Sequence, residues 1–248
     1  MILVVTPLAA LFMRRRPEDL DLLPDGDSVP VTQSETDQTE RTETEYSWTL
    51  REALKTRALW VLLGVQVLMS MSLTHVLFHH VAYIQDKGYS LAQAATIATT
   101  LAFFALIAKV PWGYLVERVQ SRWLLGFCLI PNGLCLLLLV WAQNGQMLFA
   151  YAAINGFMIG GQGPLLNVAW ASYFGRQQVG AIRGLTTPVG QVVGSFSRMF
   201  AAWTWTPENS YSFSFLVFSF IYVAAGLLML TASSPGAPPT VLAEEGER

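Results

Sequence analysis

Apolar residues occur along this chain in long unbroken runs, and the length of those runs, more than any alternation within them, predicts its elements. Six are each long enough to cross a bilayer as an α-helix, which takes about 20 apolar residues. They are Ala58 to Ala82, Leu91 to Trp112, Trp123 to Ala142, Met147 to Trp170, Val179 to Trp203 and Tyr211 to Thr231. A seventh run, Met1 to Met13, is too short and reads as an incomplete span. Arg14, Arg15 and Arg16 follow it instead of preceding it and no small-residue cleavage site is evident, so a signal peptide fits less well. Trp60, Trp112, Trp123, Trp141, Trp170 and Trp203 fall near the predicted membrane surfaces, as an aromatic belt requires.

The polar positions divide the rest. PEDLDLLPDGD and SETDQTERTETEYS are acidic, Ser/Thr-rich and poor in apolar residues, a composition that buries too little surface to fold. WTLREALKTR, from Trp48 to Arg57, sets Trp48, Leu50 and Leu54 among basic residues and suits a short helix at a membrane surface. SSPGAPPTVLAEEGER reads as a mobile tail. The expected organisation is a partial transmembrane helix over 1–13, an acidic loop and surface helix over 14–57, a six-helix transmembrane bundle over 58–231 and a tail over 232–248. The fold class is all-α and polytopic.

Composition sharpens this. Of 248 residues, 53% are hydrophobic and 13% charged, where soluble domains carry about 25% charged residues. Eighteen of the 32 charged side chains lie in the 44 residues from Arg14 to Arg57, so the spans are almost free of charge. A net charge of −2 gives no basic face for nucleic acid. Cys128 and Cys135 are seven residues apart on one predicted helix, about 10 Å, too far for a disulfide. Connections on one side of the array hold Arg51, Lys55, Arg57, Arg118, Arg122, Arg176 and Arg183, against Lys87 alone on the other. By the positive-inside rule the acidic loop and the carboxyl terminus are cytoplasmic, and the membrane is expected to be the cell membrane.

Between the second and third of the six spans stands GYLVERVQSR, with Gly113, Leu115, Glu117, Arg118 and Arg122 in the pattern G-x-L-x-(D/E)-R-x-x-x-R. A glycine allows close helix approach, and an acid with two arginines in a short turn can pair as a conformational latch. A plain charged turn satisfying the positive-inside rule is the alternative. This turn resembles the signature between the second and third helices of each half of the major facilitator superfamily, with Glu117 for the usual Asp and Gln120 for the usual Gly. RRRPEDLDLLPDGD, LREALKTRALWVLL, HHVAYIQDKGYS and YFGRQQVGAIRGL resemble its oxalate/formate antiporter and monocarboxylate transporter branch. The resemblance implies the carboxyl-terminal half of a twelve-helix transporter: the end of helix six, the central loop, and helices seven to twelve.

Ionisable residues inside a membrane are functional candidates by default. Lys109 either faces a water-filled cavity, where its ammonium binds a carboxylate, or snorkels to nearby headgroups. The resemblance favours the first, because this branch carries a basic residue, commonly Arg, at the matching place in the eighth helix. Lysine keeps that charge without the planar fork. Oxalate transporters also place a Lys in the eleventh helix, where this chain reads TTPVGQVVG with no cation. Arg198, about two turns further on, is the candidate substitute, as a ligand or as an interfacial anchor. One cation near mid-depth suits a monocarboxylate better than a dianion.

His75 and His79, four apart on one helix face with His80 adjacent, can relay protons or simply sit at an interface. The resemblance places His79 and Tyr83 in an outer gate region. No Asp, Glu or Cys stands near the histidines in sequence to complete a metal site. NGFMIGGQGP sets Gly156 and Gly160 in a G-x-x-x-G, which serves either helix packing or a bending hinge, with Asn155, Gln162 and Asn167 as polar contacts at that level. It lacks the Lys-Ser/Thr of a phosphate loop. Thr187, Gln191 and Ser195 share one face, with Thr186 beside them.

The leading expectation is a secondary transporter half that moves a small organic anion by alternating access. Lys109, Asn155, Gln162, Gln191 and Arg198 would line the substrate site, with protons a candidate coupling ion and no cofactor. The second six-helix bundle would come from an upstream reading frame, a second polypeptide or a homodimer. A non-transporting membrane module, sensor or inert remnant, is the alternative; a membrane enzyme fits least, because no nucleophile-base pair or metal-ligand set appears.

Overall fold

The computed structural model describes residues 48–175 and 179–235, all within one compact unit. The expectations for the partial helix over 1–13, the acidic stretch over 14–47 and the tail beyond 235 lie outside the described residues. All regular elements among the described residues are helices, so the all-α expectation holds.

α1 (Leu50–Ala53) is a single turn opened by a reciprocal capping box between Thr49 and Glu52. Trp48 beside it is buried, its ring edge-on to Phe174 at 6.4 Å. α2 (Arg57–Asp86) is capped by the Thr56 hydroxyl, which accepts from Leu59 N–H, and it stops where Gly88 turns to φ +92°. α3 (Leu91–Ile107) starts from a Ser90/Gln93 capping box. α4 (Lys109–Val116) continues the same run after a break at Ala108. Pro111 explains the break, since it has no N–H to donate to the Ile107 carbonyl four residues earlier. α5 (Ser121–Trp141), α6 (Gly145–Phe174), α7 (Val179–Thr204) and α8 (Ser212–Leu230) complete the described helices. Asn144 caps α6, and Gly175, at φ +77°, ends it.

Each of the six apolar runs lies on one of these helices or, for the second, on α3 and α4 together. Among the described residues, four spans are long and apolar enough to cross a membrane: Arg57–Asp86, Leu91–Val116, Ser121–Trp141 and Ser212–Leu230. α6 and α7 have the length, at 30 and 26 residues, but glycines and polar groups such as Asn155, Gln162 and Gln191 dilute their apolar content.

The helices pack as a sequence of neighbours in which α7 lies on α2, α2 on α8, α8 on α5, α5 on α6, and α6 on α3. The two end members, α3 and α7, bury few of their residues. Small residues bring some contacts to backbone distance: a Cβ on Gly156 would strike the Leu101 carbonyl, and one on Gly160 the Ala105 carbonyl. Here the G-x-x-x-G serves as a helix contact.

Two tryptophans depart from the expected belt. Trp60, Trp123, Trp141 and Trp203 are exposed, whereas Trp112 and Trp170 are buried. Each inward ring has a partner for its N–H: Trp112 Nε1 donates to the Phe157 carbonyl at 2.8 Å and Trp170 Nε1 to Gln66 Oε1 at 3.0 Å. At the opposite end of the bundle from α1, Asp86 Oδ2 accepts from Ser210 Oγ (2.5 Å) and Trp205 Nε1 (3.3 Å). Lys87 donates to the Val140 and Ala142 carbonyls at 2.9 and 3.2 Å, closing the carboxyl end of α5. Burial lowers its pKa below the ordinary lysine value.

Candidate functional site

α7 is the most informative helix because its exposed surface divides in two. At 3.6 residues per turn, Leu185, Val189, Val192, Phe196, Met199 and Trp203 form one stripe, every member exposed. Gly184, Thr187, Gln191, Ser195, Arg198 and Ala202 form a second stripe, about 120° away, made of small and polar residues. Ile182, Thr186, Gly190, Gly194, Ser197 and Ala201 are the face buried against the bundle. A helix touching only lipid has no need of the second stripe. Such a division fits a helix with lipid on one side and a polar space or partner on another.

Arg198 belongs to the polar stripe. It donates to Ser195 Oγ at 3.1 Å, and its guanidinium lies over the Phe78 ring at 4.6 Å. The same surface leads to the histidines. The His79 ring is partly buried, 5.1 Å from both His75 and Tyr211. His75 is fully buried, stacked on Phe218 at 4.3 Å and edge-on to Phe215 at 4.4 Å. Ser214 gives its proton to the Tyr211 carbonyl, so His75 Nε2–H donates to Ser214 Oγ at 3.4 Å and Nδ1 is left without a partner. His80 Nδ1 donates to the Val76 carbonyl at 2.6 Å. Tyr83 is buried, stacked on Phe215 at 4.9 Å with its hydroxyl 2.8 Å from Ser212 Oγ. His79 and His75 thus lead from the Tyr211 ring to the contact of α2 with α8, and Arg198 lies over Phe78, the residue before His79.

Lys109 is the first residue of α4, directly after the break at Ala108, and it is exposed. No hydrogen bond or ring contact joins it to another described residue. Ala95, Ala98, Ala102 and Ala105 lead up α3 towards it on neighbouring wheel positions, a small-residue strip beside the bulky one of Phe103, Leu106 and Val110. Lys109 therefore stands at the mouth of a shallow strip on one end helix, and Arg198 on the polar stripe of the other.

Asn155 and Gln162 lie elsewhere. Both are buried between α5, α6 and α8, Asn155 Nδ2 donating to Asn132 Oδ1 at 2.5 Å and Gln162 Nε2 to Tyr222 Oη at 3.3 Å. Gln191 is exposed on the α7 polar stripe and Asn167 on the outside of α6. Around the charged turn, a Cβ on Gly113 would meet nothing within 4 Å, so no close approach depends on this glycine among the described residues. Glu117 and Arg118 are exposed, and no ion pair among the described residues joins Glu117 to Arg118 or Arg122. The arginines cover rings instead: Arg118 lies 3.9 Å from the Tyr114 centroid and Arg122 5.2 Å from that of Trp123.

Sequence reasoning missed Gln66. Its Oε1 accepts from Trp170 and its Nε2 donates to the Thr186 carbonyl at 3.1 Å, tying α2, α6 and α7 together in the interior. The signal was present, since Gln66 is a lone amide in the apolar run LWVLLGVQVLMSM. Among the described residues no group of His, Cys, Asp and Glu could hold a metal ion.

A helical bundle with spans long and apolar enough to cross a membrane, and with cations such as Lys109 and Arg198 exposed on it, has the features of a membrane transporter. The sequence model of the Major Facilitator Superfamily matches residues 62–248, and the chain belongs to that family of membrane transporters, which are not enzymes. Over 175 residues, 68% of this chain and 36% of the relative, it is 25% identical to monocarboxylate transporter 12 of Rattus norvegicus and, equally, of Mus musculus. It is 30% identical over 117 residues, 45% of this chain and 29% of the relative, to the probable nitrate transporter NarT of Staphylococcus epidermidis. The chain spans about a third of the length of the curated relatives it matches.

Proposed function

We propose that this chain is the carboxyl-terminal six-helix bundle of a secondary transporter that moves a small organic anion by alternating access. α6 and α7 complete the six spans, and the positive-inside count sets the Arg-bearing turns in the cytoplasm of a cell membrane. The observation that carries this reading is the split surface of α7 together with Lys109. A small and polar stripe on one end helix and a cation on the other suit the walls of a water-filled path.

Lys109 is the substrate cation in this reading, and Gln191, Ser195 and Arg198 supply further polar contacts along the path. The relatives' names point to a monocarboxylate and to nitrate. Both are monovalent anions, which suits a lysine acting as a point charge better than a fork built for bidentate binding. Asn155 and Gln162 contribute by holding α6 against α5 and α8. His75 and His79 are the proton-coupling candidates, because their rings lie 5.1 Å apart and His75 Nδ1 is unpartnered. Gly113, Glu117, Arg118 and Arg122 form the cytoplasmic turn that changes partners between states.

The test is uptake of labelled formate, lactate, oxalate and nitrate into liposomes by the protein with a second bundle supplied. A hydrogen bond to a charged group is worth about 1.5–3 kcal/mol, so Lys109→Ala should lower uptake about tenfold to a hundredfold, with Lys109→Arg retaining most of it. Unchanged uptake in Lys109→Ala removes that residue from the site. No uptake of any anion, even with a second bundle, favours the non-transporting module.

A further inference from the structure

We infer that the cavity where α5 begins and α6 ends is a binding site for a phosphate group, held by Arg122. Its volume is about 300 Å³, and Gln120, Ser121, Arg122, Ser172, Tyr173 and Ser234 line it. No acidic side chain is among them.

Arg122 is the reason to expect a ligand. Its Nε is shielded from solvent without a hydrogen-bond partner, and no other hydrogen bond or ion pair engages it among the described residues. A guanidinium offers five donors in a rigid fork, and polar groups withdrawn from water are seldom left unmet. Two further donor sets converge on the same space. α5 starts at Ser121 with no side-chain cap from Gln120, so the first N–H groups, those of Ser121 and Arg122, have no intrahelical acceptor. Ser121 Oγ lies 3.3 Å from Ser172 Oγ. The Ser172 proton goes to the Ala169 carbonyl and that of Tyr173 to the Ala232 carbonyl. The Ser234 proton goes to the Pro235 carbonyl, so Ser121 is the donor of its contact with Ser172, a long one whose proton can turn to a ligand oxygen instead.

A fork, a helix start and a hydroxyl border the same cavity, with one positive charge and no carboxylate among its described lining residues. That arrangement fits a tetrahedral oxyanion better than a planar carboxylate, which a guanidinium satisfies alone in a bidentate pair. At about 30 Å³ per water the cavity has room for about ten, enough for a phosphate and part of its ester. Because it lies at the end of the Ser121–Trp141 span, it sits at the depth of lipid headgroups. The phosphate belongs either to an anionic phospholipid or to a soluble phosphate compound, and the experiment separates the two.

The 248-residue chain is placed in nanodiscs of phosphatidylcholine, with or without phosphatidic acid, and lipid retained after extraction is read by native mass spectrometry. In pure phosphatidylcholine discs, inorganic phosphate is titrated by calorimetry. Preferential retention of phosphatidic acid identifies a headgroup site, and saturable binding of inorganic phosphate identifies a soluble ligand. In either case Arg122→Gln should weaken binding at least tenfold and Arg122→Lys less. Ser121→Val, which keeps the guanidinium, should weaken it severalfold and serves if Arg122→Gln does not fold. The proposal is overturned if the wild type neither prefers phosphatidic acid nor binds phosphate saturably. It is equally overturned if variants with native helix content bind like the wild type.

Discussion

Gly156 and Gly160 show how little room single residues have in this bundle. A Cβ at Gly156 would meet the Leu101 backbone, which cannot swing aside as a side-chain tip can. Gly156→Val is therefore expected to separate α3 from α6 and to destabilise by about 1–3 kcal/mol, read as a lower thermal midpoint in detergent. Gly163→Ala, in the same helix with nothing within 4 Å of the added carbon, should leave the midpoint in place. If both variants behave alike, the close contact does not limit stability. Gln66 is the polar counterpart. Gln66→Leu would leave the Trp170 N–H buried without an acceptor, at a cost of about 1–3 kcal/mol in the same measurement. Pairing it with Trp170→Phe should recover part of the loss, because the stranded donor goes with it. Gly156 stood out in the chain as part of a G-x-x-x-G, whereas Gln66 was overlooked although it is a lone amide in an apolar run. Their partners did not stand out, because Leu101 and Thr186 are distant in sequence and carry no mark of the contact.

At the scale of elements, helix positions were legible and helix faces were not. Long apolar runs mark where the helices lie, while the Ser90 and Asn144 caps and the turns at Gly88 and Gly175 that set their ends emerged from the structure. Which way each side looks is harder to read, because lipid and bundle interior are equally apolar and select the same side chains. His75 and His79 are four apart on one face, yet one is fully buried and the other only partly. Asn155 and Gln162 looked as suited to a substrate path as Gln191, but their amides meet Asn132 and Tyr222 in the interior. α7 escapes this ambiguity because its sequence separates bulky from small and polar residues, which is why the shared face of Thr187, Gln191 and Ser195 was visible early. If that stripe borders water, Gln191→Cys and Ser195→Cys should react with a membrane-impermeant maleimide. Val192→Cys and Met199→Cys, on the bulky stripe, should stay silent. Cys128 and Cys135 are buried, so the background should be low. Equal labelling of the two stripes would remove the water-filled path from α7.

For the whole molecule the open surfaces of α3 and α7 set the question. Alternating access needs two bundles rocking about a site between them, and the described helices form one. The apolar strip of each end helix can face lipid, but Gln191, Arg198 and Lys109 have no lipid-like partner and suit a second bundle across a polar path. A bundle used this way should bind substrate poorly alone, since half the walls of its site come from elsewhere. The 248-residue chain in liposomes is accordingly expected to show no saturable uptake of lactate, formate or nitrate. Uptake should appear when a second six-helix bundle is supplied, joined ahead of Met1 or as a separate chain, and it should then depend on Lys109. If two copies of this chain form the pair, Gln191→Cys should crosslink between copies in the membrane, and uptake should rise with the dimer fraction. Saturable, Lys109-dependent uptake by a monomer would show that one bundle suffices. The polar stripe of α7 would then need another explanation, since no second set of walls would be there to meet it.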